Sequence, residues 1–406
     1  MKSIRHSYLT IGAACILFLF CLTAQGQNNE QARHDSIRFS LLTCGPGEEI
    51  YSLFGHTAIR YENLTRGIDY VFNYGIFSFN TPNFILRFTL GETDYKLGIA
   101  PFDYFTEEYK YLQRDVRQQV LNLNQTEKEK LAAQLEENYR PENRVYRYNF
   151  FYDNCATRPR DQIERATGGS IVYPQDMNST DTGKTYRDLL HQYTENHLWS
   201  RFGMDLCMGI PADKPISRRQ MMFVPFYLEE CFDQATIQTP QGNRPLVCQS
   251  VNLVSFPSSE ASHQDWYPSP LAASLTLFII IALITYYGWR HQKRLWGVDL
   301  ALFATAGLAG CILAFLALFS QHPAVSPNLM LFVFHPFHIL LLPYVIIQAR
   351  KGRKDWYLLA NLVVLTLFIL LLPVLPQKIN LAVLPLALCL IVRSANSIIF
   401  SYKKNK

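Results

Sequence analysis

Charge is scarce in this sequence, and so are the short motifs that usually announce an enzyme. Only 17% of the 406 residues are Asp, Glu, Lys or Arg, against 49% hydrophobic. A disordered chain, a collagen or a long coiled coil needs a different balance, so all three are excluded. No two of the nine cysteines stand as C-x-x-C, which leaves zinc binding and thioredoxin-like chemistry without support. No G-x-S-x-G occurs, so a serine hydrolase elbow is missing. The chain also has no internal repeat, and its length suits two or three units of ordinary size.

Acidic residues nearly vanish from the last third. Residues 269–406 hold twelve Lys/Arg and two Asp/Glu, whereas residues 27–268 hold 24 and 31. The basic surplus therefore lies among apolar runs, where it reads as membrane topology and gives no reason to expect nucleic acid. Five apolar segments, 271–288, 298–320, 329–348, 356–375 and 379–400, are each about long enough to cross a bilayer. Loops 289–297 and 350–355 and the C-terminal tail are basic, while 321–328 and 375–378 hold only Lys378. The positive-inside rule then places residues 27–268 outside the cytoplasm and the C-terminus within it, as expected of a multi-pass inner-membrane protein with its folded part in the periplasm. Arg393 interrupts the fifth segment, which needs snorkelling to be tolerated. His335 and His338 flank Pro336 in the third. A metal or proton-relay reading is open to them, but no third ligand is near, and a polar pair facing other helices is the plainer expectation. No metal and no cofactor is expected.

At the other end, Lys2 and Arg5 precede an apolar run over 9–22, and Ala24-Gln25-Gly26 puts small residues before a cut at Gln27. This is the pattern of a secretory signal peptide over 1–26. Phe20 before Cys21 argues against lipidation there. An uncleaved anchor helix is the alternative, and either exports the residues C-terminal to it. Residues 27–256 then form the exported domain, 257–270 a Ser/Pro-rich linker and 271–406 the membrane domain.

The exported part reads as strands at 37–43, 56–61, 69–79, 117–123 and 144–151, from alternation and aromatic or β-branched content. Helices are expected at 126–139, with Asn124 or Thr126 as cap, at 161–167, at 185–193 and at 219–236, bent by Pro225. A hairpin is expected over 241–254 around Gln241-Gly242-Asn243. The class is α+β with a mostly antiparallel sheet, followed by an all-α helical membrane part.

Five cysteines fall in the exported part, an odd number. Cys207, Cys231 and Cys248 could supply a disulfide, and Cys44 ends a strand beside Gly45-Pro46-Gly47. Cys155 differs, since it stands between a strand and a helix, where the positive end of the helix dipole favours thiolate. Arg158 and Arg160 add positive charge, and Pro159 removes one first-turn donor. A nucleophile needs a base. Among His34, His56, His191, His197 and His263, only His56 opens a strand after a glycine, where a side chain can point into a cleft. A lone histidine or a buried cysteine is more often structural, so neither residue settles the matter alone.

Together the stretches say more. TCGPGEEIYSLFGHTAIRY (43–61), VFNYGIFSFNTPNF (71–84) and PENRVYRYNFFYDNCATRPRD (141–161) resemble the Lnb N-terminal periplasmic domain family. That family is similar to the circularly permuted NlpC-type, papain-like thiol enzymes, whose histidine strand precedes the cysteine helix, as His56 precedes Cys155 here. The resemblance covers about 37–165 well and 166–255 more loosely, with Pro159 a departure in the cysteine helix. It implies a lipoprotein N-acyltransferase, which would move a fatty acyl chain from a membrane phospholipid, through a thioester on Cys155, to the N-terminal amine of a diacylglyceryl-cysteine apolipoprotein. It implies His56 as base, an orienting group from the next strand (Asn73, with Asp153 as rival), and an oxyanion donor at the Cys155 backbone N–H with Arg158 nearby. Phe72, Tyr74 and Phe77, in a run continuing to Phe79 and Phe84, are candidates to line an acyl groove, although alternating aromatics are more often core. Two other readings are a cell-wall cysteine peptidase or amidase of NlpC type, and a non-catalytic lipid- or lipoprotein-binding membrane protein.

Overall fold

The computed structural model describes residues 36–77, 82–257 and 267–403. The expected signal peptide lies outside these residues, as do His34, Phe79 and His263.

The exported part runs β1 (Ile37–Cys44), β2 (His56–Asn63), β3 (Ile68–Ile76), α1 (Phe84–Leu90), β4 (Asp94–Pro101), α2 (Phe102–Tyr111), β5 (Val116–Leu121), α3 (Gln125–Tyr139), β6 (Val145–Arg147), α4 (Thr157–Ala166) and β7 (Ile171–Val172). It continues through α5 (Tyr186–Tyr193), α6 (Leu198–Cys207), α7 (Arg218–Met221), α8 (Pro225–Gln234), β8 (Thr236–Thr239), β9 (Gly242–Pro245) and β10 (Val247–Val254). Seven strands make one sheet in the order β10-β5-β1-β2-β3-β4-β6, with every pair antiparallel. Side chains alternate across it, as the two-residue period of a strand requires. Phe39 and Leu41 enter a core with Leu131 and Leu135 of α3, Ile163 of α4 and Phe232 of α8. Leu42 and Cys44 face the other way, with Phe105 and Tyr109 of α2.

Local chemistry sets the boundaries. The Asn124 side chain accepts from Glu127 N at 2.9 Å and the Glu127 carboxylate accepts from Asn124 N at 2.8 Å, a capping box that starts α3. Pro225 does not bend a helix. It is the first residue of α8, where its missing N–H costs nothing, so the segment expected as one helix is two. The expected hairpin is also redrawn. Gln241-Gly242 closes β8 on β9 in a separate three-stranded sheet, while β10 crosses to the edge of the large sheet beside β5.

Beyond residue 267 the chain is helical: α9 (Pro270–Arg290), α10 (Trp296–Phe319), α11 (Phe337–Leu340), α12 (Leu342–Lys351), α13 (Trp356–Leu371) and α14 (Val383–Lys403). Four helices are long and apolar enough to cross a membrane, and the third expected span is a bent pair, 329–340 and 342–351, with 67° between its halves. Pro336 begins the short α11 and Pro343 opens α12, which is where a helix must break. His338 is buried at the break, accepting from Tyr357 OH at 2.6 Å and donating to Val333 O at 3.0 Å, with His335 stacked on it at 3.9 Å. This is the polar pair facing other helices. Among the described residues no group of three His, Cys, Asp or Glu stands ready for a metal.

Arg393 does not snorkel. It is 1% exposed and donates to Asp299 of α10 at 2.6 Å, Thr285 of α9 at 3.0 Å and Leu295 O at 3.0 Å. Arg294 ties the basic end of the bundle by donating to Ala349 O and Ser397 O at 2.8 and 3.0 Å.

The sheet-bearing part rests on the opposite end. Gln377 donates to Met208 O at 2.9 Å, Asn328 to Leu206 O at 2.8 Å, and Asn380 to Asp205 at 2.8 Å. Gly209 N donates to Ala324 O at 2.7 Å, with Ile210 N on Pro327 O at 2.9 Å. Behind this seam the buried Arg187 pairs with Asp205 and Asp213 at 2.7 and 2.9 Å. His191 belongs here too, between Asp205 at 2.8 Å and Arg201 at 2.7 Å. The loops on the basic side and the C-terminal end of α14 thus face away from the sheet.

Candidate active site

β1 ends at Cys44, paired in register with His56 at the start of β2. The loop between them returns through Gly55, whose φ is +77° and whose position leaves only 2.6 Å from an added Cβ to Cys44 O. Only glycine fits there, and it delivers the histidine to the start of an interior strand. Asn73 lies on neighbouring β3. Its Oδ1 sits 2.8 Å from His56 Nε2. An amide oxygen only accepts, so Nε2 carries the ring proton and the neutral ring keeps its lone pair on Nδ1. Of the two residues expected to orient the ring, Asn73 contacts it, while the Asp153 carboxylate accepts from Arg158 at 2.6 and 2.7 Å.

Cys155 reaches this corner from the start of α4. Its sulfur lies against the backbone N–H of Thr57, one residue past His56, and against its own N–H. The sulfur thus stands beside the head of β2, the strand that His56 opens. Asn154 fixes the approach. This buried side chain accepts from Ala156 N and Thr157 N, both at 2.9 Å, and donates to Phe150 O at 3.0 Å and Phe223 O at 2.8 Å. All four of its hydrogen-bonding positions are filled, so the turn before α4 has little freedom. Pro159 is the third residue of α4, inside the turn whose N–H groups have no helical partner, and so does not disturb the start.

The helix dipole does not leave a resting thiolate. α4 begins two residues after the sulfur, and burial pushes the Cys155 thiol up to about 11. Burial likewise lowers the His56 imidazole to about 4, against a smaller upward pull from Asn73. Desolvation penalises both charged forms, and the resting pair is a neutral thiol beside a neutral imidazole. The nearby cation is Arg114, in the turn before β5. It donates to Gly45 O at 2.8 and 2.7 Å, and its charge favours the thiolate and disfavours the imidazolium. Arg158, the expected electrostatic helper, is spent on Asp153 and lies 3.6 Å above the Tyr146 ring.

Of the expected groove residues, Phe72 and Tyr74 are core, at 8% and 0% exposure. Phe77 is half-buried, stacked on Tyr95 at 4.9 Å and on Phe84 at 6.3 Å. Tyr95, Tyr146 and Tyr148 stand near enough to Cys155 for a thiolate there to raise each hydroxyl's pKa. Cys44 is buried, and all seven described cysteines are free.

Arg114, Asn154 and Gly75 were invisible to sequence reasoning. Arg114 acts across a long separation, and one of the four Asn154 contacts, to Phe223 O, does too. Gly75 had a faint signal, a glycine inside an aromatic strand. A Cβ there would stand 2.9 Å from His56 Cε1.

A buried thiol beside a neutral imidazole, itself oriented by an amide, can attack a carbonyl and pass the acyl group on. Residues 24–192 match the family described as the Lnb N-terminal periplasmic domain, and residues 262–405 match the Lnb transmembrane domain. Between them the two matches cover most of the chain. No curated protein and no solved structure matches it.

Proposed function

We propose, starting from a chain that belongs to the Lnb family of lipoprotein N-acyltransferases, that Cys155 and His56 perform the transfer through a thioester. The observation that carries this is the His56–Asn73 contact, which leaves Nδ1 unprotonated at the corner where the sulfur sits.

In the first half-reaction the sulfur bonds to the ester carbonyl carbon of a phospholipid while His56 takes the thiol proton. In this reading the Cys155 N–H, and that of Thr57, donate to the oxyanion. The ester C–O bond then breaks, His56 returns the proton to the departing lysophospholipid oxygen, and the acyl group remains on sulfur. In the second half-reaction the N-terminal amine of the diacylglyceryl-cysteine apolipoprotein attacks the thioester. His56 takes a proton from nitrogen, the C–S bond breaks, and the proton returns to sulfur with an amide formed.

Both substrates are lipids. Drawing roughly fifteen methylenes into water costs about 12 kcal/mol at about 0.8 kcal/mol each, so the site must work at the bilayer. The folded half on the outer ends of the spans suits that need. We read the exported part as residues 27–256 after a cleaved leader, joined by 257–270 to an inner-membrane domain over 271–406 whose C-terminus is cytoplasmic. The order of His56 and Cys155 also fits a permuted papain-like enzyme.

The test is full-length protein in vesicles with phospholipid labelled in its acyl chain. Wild type should acquire a hydroxylamine-labile label and pass it to a diacylated lipopeptide. Cys155→Ala should acquire none, and His56→Ala should lose roughly 100-fold or more in rate. Muropeptide cleavage without transfer would instead indicate the peptidase chemistry. Full complementation of a deletion strain by Cys155→Ser would remove thiol chemistry altogether.

A further inference from the structure

α1 has no buried residue, and its exposed side chains are apolar. Ile85 is 81% exposed, Leu86 53% and Phe88 49%. Such a face on a soluble protein is a liability unless something covers it. Its position tells what does. Gln321, two residues past the end of α10, donates from its backbone to Leu90 O at 2.8 Å, and the His322 ring reaches Phe88 O at 2.6 Å. Gly91 ends α1 with φ +72°, and a Cβ there would lie 2.8 Å from His322 N. α1 is thus pinned just past the end of α10, a helix long and apolar enough to cross a membrane.

From this helix a chain of rings leads inward. Phe88 contacts Phe84 at 6.0 Å, Phe84 contacts Phe77 at 6.3 Å, Phe77 stacks on Tyr95 at 4.9 Å, and Tyr95 stacks on Tyr148 at 4.1 Å. Apart from the exposed Phe88, each ring is half-buried. A charge on the Cys155 sulfur would be felt at the hydroxyls of Tyr95 and Tyr148, whose pKa values burial already raises.

We propose that α1 lies in the outer leaflet and that the donor's fatty acyl chain reaches Cys155 along this strip of rings. The occupant is a lipid acyl chain, because the strip is continuous with the spans at one end and with the nucleophile at the other. This rests on the acyl-transfer reading and adds the path to it. The strip replaces Phe72 and Tyr74 as the groove and keeps Phe77.

Two measurements on the full chain in phosphatidylethanolamine–phosphatidylglycerol vesicles test it. A photo-reactive phenylalanine analogue at Leu86, at Tyr95 and, as control, at Tyr139 is irradiated with acyl-labelled phospholipid. Labelling at 86 and 95 but not at 139, undiminished when Cys155→Ala is added, is the expected result. Absence of labelling at 95 overturns the path even if the thioester forms. Labelling at both without any thioester keeps the path and defeats the acyl-transfer reading. Second, the pair Ile85→Glu and Leu86→Glu should lower acylation from vesicles at least tenfold while leaving the reaction of Cys155 with p-nitrophenyl butyrate within twofold. Vesicle acylation unchanged would overturn the proposal. If both rates fall, the crosslinks decide.

Discussion

His56 serves this site as a neutral ring, and the consequence is a pH profile. In the proposed reaction only the unprotonated imidazole can take the thiol's proton, and burial holds its pKa near 4 instead of 6.5. The reactive form is present above about pH 4 and lost below it. Pre-steady-state release of p-nitrophenol should therefore show an acid midpoint near 4. A midpoint near 6.5 would mean that the ring is solvated and not buried as described. Stability has the same sign. Between 6.5 and 4 the unfolded chain binds a proton that the folded one refuses, so folding weakens as pH falls through that window. Asn73→Ala should lower the acylation rate about 100-fold with the fold intact, since only the ring's orientation and tautomer are lost. Gly75→Val should do the same by sterics, because the ring is 2.9 Å from where the first added atom must go.

At the scale of elements, the turn into α4 is the part that must not move. Asn154→Ala leaves two buried N–H groups and two carbonyls without their partner. Removing such a hub costs about 1–3 kcal/mol per orphaned group at most, and a visibly lower melting temperature in detergent is expected. An unchanged Tm would show that other groups hold the turn. β1, β2, β3, β5 and α3 are legible in the sequence because alternation and the Asn124 cap are local signals. The start of a strand at His56 and the helix after Cys155 are legible from local patterning, whereas Asn73 is reached only through the family resemblance. α1 is not, since its seven residues follow Pro82-Asn83 and carry no polar face to set a period. The expected long hairpin is misplaced because β9 and β10 are nearly contiguous in sequence, yet only long-range pairing decides that they part into different sheets. Arg114 escapes for a similar reason, as its partner is the Gly45 carbonyl, 69 residues away.

At the scale of the whole molecule, the membrane half is a packed unit with polar fastenings, and its outer loops hold the catalytic half through Gln377, Asn328 and Asn380. Asp299 and Arg393 are the clearest fastening. Replacing either alone by Leu should cost about 3–5 kcal/mol, because a charge is left buried without its partner. The double replacement should recover most of that loss in a thermal melt. Equal damage from single and double variants would argue that the two act independently. Topology has its own check. With the native cysteines replaced by serine, Lys351→Cys should react with a membrane-impermeant maleimide only after permeabilisation, and labelling of intact spheroplasts would reverse the orientation.

That pair is separated by 94 positions. A growing polypeptide therefore presents its aspartate to the lipid long before the matching arginine has left the ribosome. The second span must wait, shielded by the insertion machinery or by its neighbours, until translation is almost finished. Biogenesis and integrity are thereby joined, and a message broken off before the final helix would yield a protein with a bare carboxylate at its heart, ready for the protease.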